Sequence, residues 1–234
     1  QRQMCIRDRI CTVLTIFMVK EDFTPIEKQD VVSMGELRKR IDHMPILIGL
    51  FISTLILQLG ATSISPILTL YVRQLSGPSS NTLLVSGFIV SAAGVSAILS
   101  SPTLGKVGDR IGNHKVLLAG LVLSLLCFIP MAFVKTPFQL GVLRFFLGFS
   151  TGALMPSINT LIGKISPPEG VSRIYSYNQM FNNFGQVIGP MLGSTVAHTM
   201  GYPSVFIVTS VCVFGNIILS TFNFRKLLVT KTKI

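Results

Sequence analysis

The stretch KVLLAGLVLSLLCFIPMAFVK, residues 115–135, decides the class of fold. Nineteen residues without a charge lie between Lys115 and Lys135. Wound as an α-helix at 1.5 Å per residue they extend about 29 Å, the thickness of a bilayer's hydrocarbon core. The run is too long for a buried strand. In lipid the backbone must satisfy its own hydrogen bonds, so a helix is the expected form.

Working outward, five further stretches have the same character. The expected spans are Pro45–Leu70, Asn81–Ser101, Lys115–Val134, Phe138–Gly163, Val171–Ala197 and Tyr202–Phe222. The connections are short and carry turn chemistry: Ser76-Gly-Pro-Ser-Ser, Lys135-Thr-Pro, Ser166-Pro-Pro-Glu-Gly and Gly201-Tyr-Pro. The reading is an all-α membrane protein with a six-helix bundle over residues 45–222.

Composition agrees. Only 12% of the residues are charged, 49% are hydrophobic and the mean hydropathy is +0.64. Soluble domains carry about 25% charged residues, so lipid is the solvent that fits, and the bilayer is the first expected partner. A net charge of +11 would suggest nucleic acid in a soluble protein. Here the basic residues lie between apolar runs and read as topology signals, so no nucleic-acid partner is expected. Cys5, Cys11, Cys127 and Cys212 form no CxxC pair. They give neither a disulfide framework nor a zinc site.

Lys and Arg fall unequally on the two sides. One side holds Lys20, Lys28 and Arg38–Arg40, then Lys106, Arg110 and Lys115, then Lys164 and Arg173, and finally the tail from Arg225 to Lys233. The other side holds Arg73 and Lys135. The excess marks the cytoplasmic face, so both chain ends are expected there, in a cytoplasmic membrane. Residues 223–234 form a basic cytoplasmic tail. Ile10–Val19 is too short to span, and no small-residue cleavage site follows it, which argues against a secretory signal. Residues 10–19 are read as the end of a truncated preceding transmembrane helix and 20–44 as a cytoplasmic central linker. Residues 1–9 are read as a non-native leader, since Met4-Cys-Ile-Arg-Asp-Arg looks like translated adapter sequence.

Three local patterns carry mechanism. Gly105-Lys-Val-Gly-Asp-Arg-Ile-Gly-Asn-His-Lys joins the second and third spans, and a tight turn there is expected to use Gly105, Gly108 and Gly112. Asp109 and Arg110 sit at the membrane edge, placed to cap helices or pair with a neighbour. In the fourth span, Arg144, Gly148, Gly152, Met155 and Asn159 share one helix face. A charge inside lipid costs at least ~2.5–3.5 kcal/mol, so Arg144 should meet a partner or water, or snorkel to the nearby interface. In the fifth span, Gly185, Gly189 and Gly193 recur every four residues with Pro190 among them, which permits close approach by another helix and a bend. The same span carries Tyr175, Asn178, Asn182 and Gln186 at helical spacing, a polar stripe suited to a wet cavity.

Together these motifs resemble the major facilitator superfamily. Gly105-x-x-x-Asp109-Arg110-x-Gly112 looks like its loop signature, with Asn113-His114 in place of the usual basic pair. Leu140…Arg144…Gly148 is similar to its arginine-bearing helix, and Gly185…Gly189-Pro190…Gly193 resembles the antiporter motif of its drug exporters. Ile64-Ser-Pro-Ile-Leu-Thr-Leu-Tyr-Val-Arg, Gln139-Leu-Gly-Val-Leu-Arg-Phe and Ile174-Tyr-Ser-Tyr-Asn-Gln are similar to the C-terminal half of the MdtG-type bacterial multidrug exporters. The likeness runs from about Val19 to Leu228.

The resemblance implies a proton-driven exporter of small amphipathic compounds, working by alternating access with a missing N-terminal six-helix half. It needs no cofactor beyond the proton gradient. It implies substrate contacts from Gln58, Arg144, Asn159, Tyr175, Asn178 and Asn182. It implies conformational roles for Gly105, Asp109, Arg110, Gly112, Gly185, Gly189, Pro190 and Gly193.

None of the nine acidic residues lies within an expected span, so a coupling carboxylate is expected in the other half. A polytopic enzyme would need a nucleophile with a base or a metal cluster, and neither pattern occurs. A carrier for a sugar or peptide, or a non-transporting membrane scaffold, remains compatible with the residues alone.

Overall fold

Helices in lipid are held by their own backbone bonds and by small residues at their crossings, and both features organise this chain. A computed structural model describes residues 44–77, 81–167 and 170–231. They form seven helices: α1 (Met44–Ser63), α2 (Ser65–Ser76), α3 (Thr82–Ile111), α4 (Asn113–Met131), α5 (Pro137–Ile165), α6 (Val171–Met200) and α7 (Tyr202–Lys231). The expectations for the leader, the truncated preceding helix and the central linker up to residue 43 lie outside the described residues.

Two of the expected boundaries need correction. The first span is two helices, α1 and α2, broken at Ile64. Pro66 has no N–H to give to the preceding turn, and α2 starts afresh around it, with Ile67 and Leu68 donating to the Ile64 carbonyl at 3.2 and 3.0 Å. The second span continues ten residues beyond Ser101, through Pro102, to Ile111. The connection to α4 is therefore the single residue Gly112, whose φ of +110° is open to glycine. Gly105 and Gly108 are helical and contribute no turn. Helix α7 runs on past Phe222 to Lys231, while its apolar, membrane-length part ends at Phe224, close to the expected boundary.

The fifth span differs from the others in polarity. Met44–Ser76, α3, α4, α5 and Tyr202–Phe224 are each long and apolar enough to cross a bilayer. The expected fifth span, α6, is 30 residues long but too rich in Asn, Gln, Ser and Thr to join that group. It is a membrane-length helix whose surface is only partly suited to lipid.

Packing is organised around α1 and α5. Helix α1 lies against α6 on one side and α7 on the other, while α5 lies against α3 and α4. The α3–α5 crossing uses small residues: a Cβ built on Gly152 would lie 2.5 Å from the Ala97 carbonyl oxygen, and one on Gly148 would collide with the Ala93 carbonyl. Ser96 Oγ donates to the Phe145 carbonyl at 2.7 Å across this seam. Large apolar side chains lie outside: Phe88 is 75% exposed, Ile98 74% and Phe138 80%. Such a surface is stable only against lipid or another protein.

Candidate substrate-facing surface

A polar knot joins three helices. Thr54 Oγ1 of α1 donates to Asn178 Oδ1 of α6 at 2.8 Å, and Asn178 Nδ2 donates to Asn159 Oδ1 of α5 at 3.4 Å. Tyr175 donates its hydroxyl to the Asn159 backbone carbonyl at 2.7 Å. Three of the expected site residues, Asn159, Tyr175 and Asn178, are thus brought together. Asn178 is only 6% exposed. Its carboxamide is used in helix packing, which a buried amide requires.

Beyond the knot, α6 turns a polar arc outward. Asn182 accepts from Gln186 Nε2 at 2.7 Å, and Gln179 Nε2 donates to Asn183 Oδ1 at 3.1 Å. Gln179, Asn183 and Gln186 are exposed and Asn182 is half-buried. Ser176, Gln179, Met180, Asn183, Phe184 and Val187 line an open groove of about 490 Å³. Gln179 and Asn183 were not singled out by the sequence reading, which followed the 175–178–182–186 spacing. That spacing finds a helix face but does not say which helix covers it. The cue was present in the low hydropathy of the whole segment, which one stripe cannot account for.

The glycine motif of α6 is a packing surface for α1. A Cβ on Gly185 would lie 2.7 Å from the Leu55 carbonyl oxygen and 2.9 Å from Gln58 Cβ. One on Gly189 would collide with Thr62 Oγ1, and one on Gly193 with the Ser63 carbonyl. Thr62 Oγ1 donates to the Gly185 carbonyl at 3.2 Å, so the seam also carries a hydrogen bond. Gln58 is placed beside this seam, half-buried. Pro190 leaves the Gln186 carbonyl without its helical donor, yet α6 runs unbroken through it.

Arg144 stands apart. It is fifteen residues from Asn159 on α5, about 22 Å along the axis. Its Nε is buried and has no hydrogen-bond partner among the described residues. Asp109 and Arg110 are exposed in the last turn of α3. Asp109 Oδ1 accepts from Asn113 Nδ2 at 3.5 Å, across the Gly112 turn. Gly108 packs there too, since a Cβ on it would collide with Asn113 Oδ1, whereas Gly105 faces open space.

Comparison with known proteins bears on what this surface serves. Residues 50–232 match the Major Facilitator Superfamily model. The chain is 48% identical over 219 residues to a multi-drug resistance efflux pump PmrA homolog of Lactococcus lactis, covering 94% of this chain and 54% of that protein. It is 44% identical over 217 residues to multidrug resistance protein MdtG of Klebsiella pneumoniae, covering 93% and 53%, and likewise 44% identical to MdtG of Salmonella typhimurium. The chain spans about half the length of the curated relatives it matches.

Proposed function

The chain belongs to the Major Facilitator Superfamily, and we propose from that premise that it forms one six-helix half of a secondary exporter of small amphipathic compounds. The observation that carries this reading is the exposed amide arc of α6. Gln179, Asn182, Asn183 and Gln186 lie on a membrane-length helix that is too polar for lipid on that side. Uncompensated polar groups in hydrocarbon are costly, so the arc faces a water-filled path. The neighbouring Met180, Phe184 and Val187 supply apolar contact beside the amides. Amides next to Met and Phe bind adaptably, which suits a range of amphipathic substrates.

Alternating access requires one bundle to rock against another. The close α1–α6 seam through Gly185, Gly189 and Gly193 moves these two helices as a unit. Pro190 is the place where that unit bends. Asp109 and Arg110, exposed at the end of α3, latch this face to the other half. The basic ends of the spans lie in the cytoplasm, and so do both chain ends. Substrate meets Gln58, Asn182 and the Gln179–Asn183 pair, with Arg144 as a separate polar contact nearer the outer surface. The proton gradient drives export. Asp109 is the only carboxylate among the described residues and stands outside the spanning core, so the coupling carboxylate belongs to the other half.

Single cysteines placed at Gln179, Asn182 and Asn183 in a chain lacking its own four cysteines test the reading. A membrane-impermeant maleimide should label them in sealed vesicles, and an amphipathic cationic drug should slow the labelling. Failure to label at all three positions in sealed inside-out vesicles, with a cysteine at Lys106 near the end of α3 labelled as a control, would show that the arc is covered by protein or lipid.

A further inference from the structure

A second cavity lies away from α6. It is a cleft of about 320 Å³ where α3 and α4 diverge from the Gly112 turn, roofed by α5. Leu104, Val107 and Ile111 of α3, Ala119 and Leu123 of α4 and Phe149 of α5 line it, and Lys115 is the one charge among its lining residues. Ser150 also lines the cleft, but its hydroxyl is already committed to the Gly120 carbonyl and to Ser124 Oγ. Water therefore finds almost no partners inside, and an apolar space of this kind rejects it.

We infer that this cleft is a binding site for an anionic phospholipid, with an acyl chain against the apolar walls and the headgroup phosphate on Lys115. The lining runs from Lys115 to Leu123 on α4, about 12 Å of helix, so the cation stands at one end of an apolar channel. That end is the Gly112 turn, where Lys106 and Arg110 of α3 are also exposed. Among the described residues the one acidic group nearby, Asp109, already accepts from Asn113. Basic pockets between helices at the cytoplasmic surface select anionic headgroups, because that leaflet supplies them. The inference rests on the membrane orientation proposed above.

The chain contains no tryptophan, so one introduced indole reports on its own surroundings alone. Phe149→Trp places it in the cleft, and Val122→Trp places it on the exposed side of α4 at similar depth. Each variant is reconstituted in phosphatidylcholine vesicles containing brominated phosphatidylglycerol or brominated phosphatidylcholine, and quenching is measured. At Phe149→Trp the anionic lipid should be preferred by about fivefold, the factor one lysine contributes near an anionic surface, and Lys115→Gln should abolish the preference. Val122→Trp should be quenched equally by both lipids.

Equal quenching at Phe149→Trp, or a preference that survives Lys115→Gln, overturns the lipid site while leaving the transporter reading intact. So does an unquenched Phe149→Trp beside a quenched Val122→Trp, which would mean that protein fills the cleft. Quenching at neither position overturns the membrane placement itself, and the site with it.

Discussion

Asn178 and Asn183 lie five residues apart on α6 and meet different surroundings. The first is bonded to Thr54 and Asn159, and the second is exposed on the groove side. Asn178→Leu removes the hydrogen bonds to buried Thr54 and to Asn159 and should destabilise the protein by about 1–3 kcal/mol, read as a lower melting temperature in detergent. Asn183→Leu should leave the melting temperature nearly unchanged and reduce export by the two-half transporter proposed above instead. Arg144 makes the opposite argument. Its buried Nε has no partner among the described residues, so Arg144→Met should leave stability equal or higher while export by the two-half transporter proposed above falls, since functional groups are commonly held at the expense of stability. A large drop in melting temperature for Arg144→Met would show that the guanidinium is structural. The polar stripe was legible in the sequence as a face. The partition of its members between packing and water was not, because it depends on where α1 lies.

At the scale of elements, the spans were legible because hydrocarbon demands about 20 apolar residues in helical form. Their interruptions and extensions were harder to read. Ser65-Pro66 breaks the first span because proline removes a donor to the preceding turn and its ring crowds the carbonyl four residues back. Membrane hydropathy averages over such a break. The glycines of the α3–α4 connection show the same limit: composition marks a turn, but only Gly112 has the positive φ that needs glycine. Gly112→Ala should therefore cost about 1–2 kcal/mol, whereas Gly105→Ala, helical and facing open space, should be neutral or stabilising by about 0.5–1 kcal/mol. Both are read from denaturation midpoints. The α6 glycines should behave differently again. Gly189→Leu forces its side chain into Thr62 and the Leu59 carbonyl, so the α1–α6 seam cannot close and the yield of folded protein should collapse. Normal yield and melting temperature would contradict the seam.

For the whole molecule, lipid as the solvent accounts for the large apolar side chains on the outside and the small polar ones within. Ser53, Asn216 and Ser220 are buried between α1 and α7 and bonded to one another, while Phe88 and Phe138 lie on the surface. The same solvent explains why the basic residues gather at one set of helix ends. Arg73 closes α2 and Lys106 lies near the end of α3, so a single crossing of the bilayer separates them. Single cysteines at Arg73 and Lys106, labelled in sealed right-side-out vesicles with an impermeant maleimide before and after permeabilisation, measure that separation. The account predicts immediate labelling at position 73 and labelling at position 106 only after permeabilisation. Labelling of both positions from the same side would contradict it.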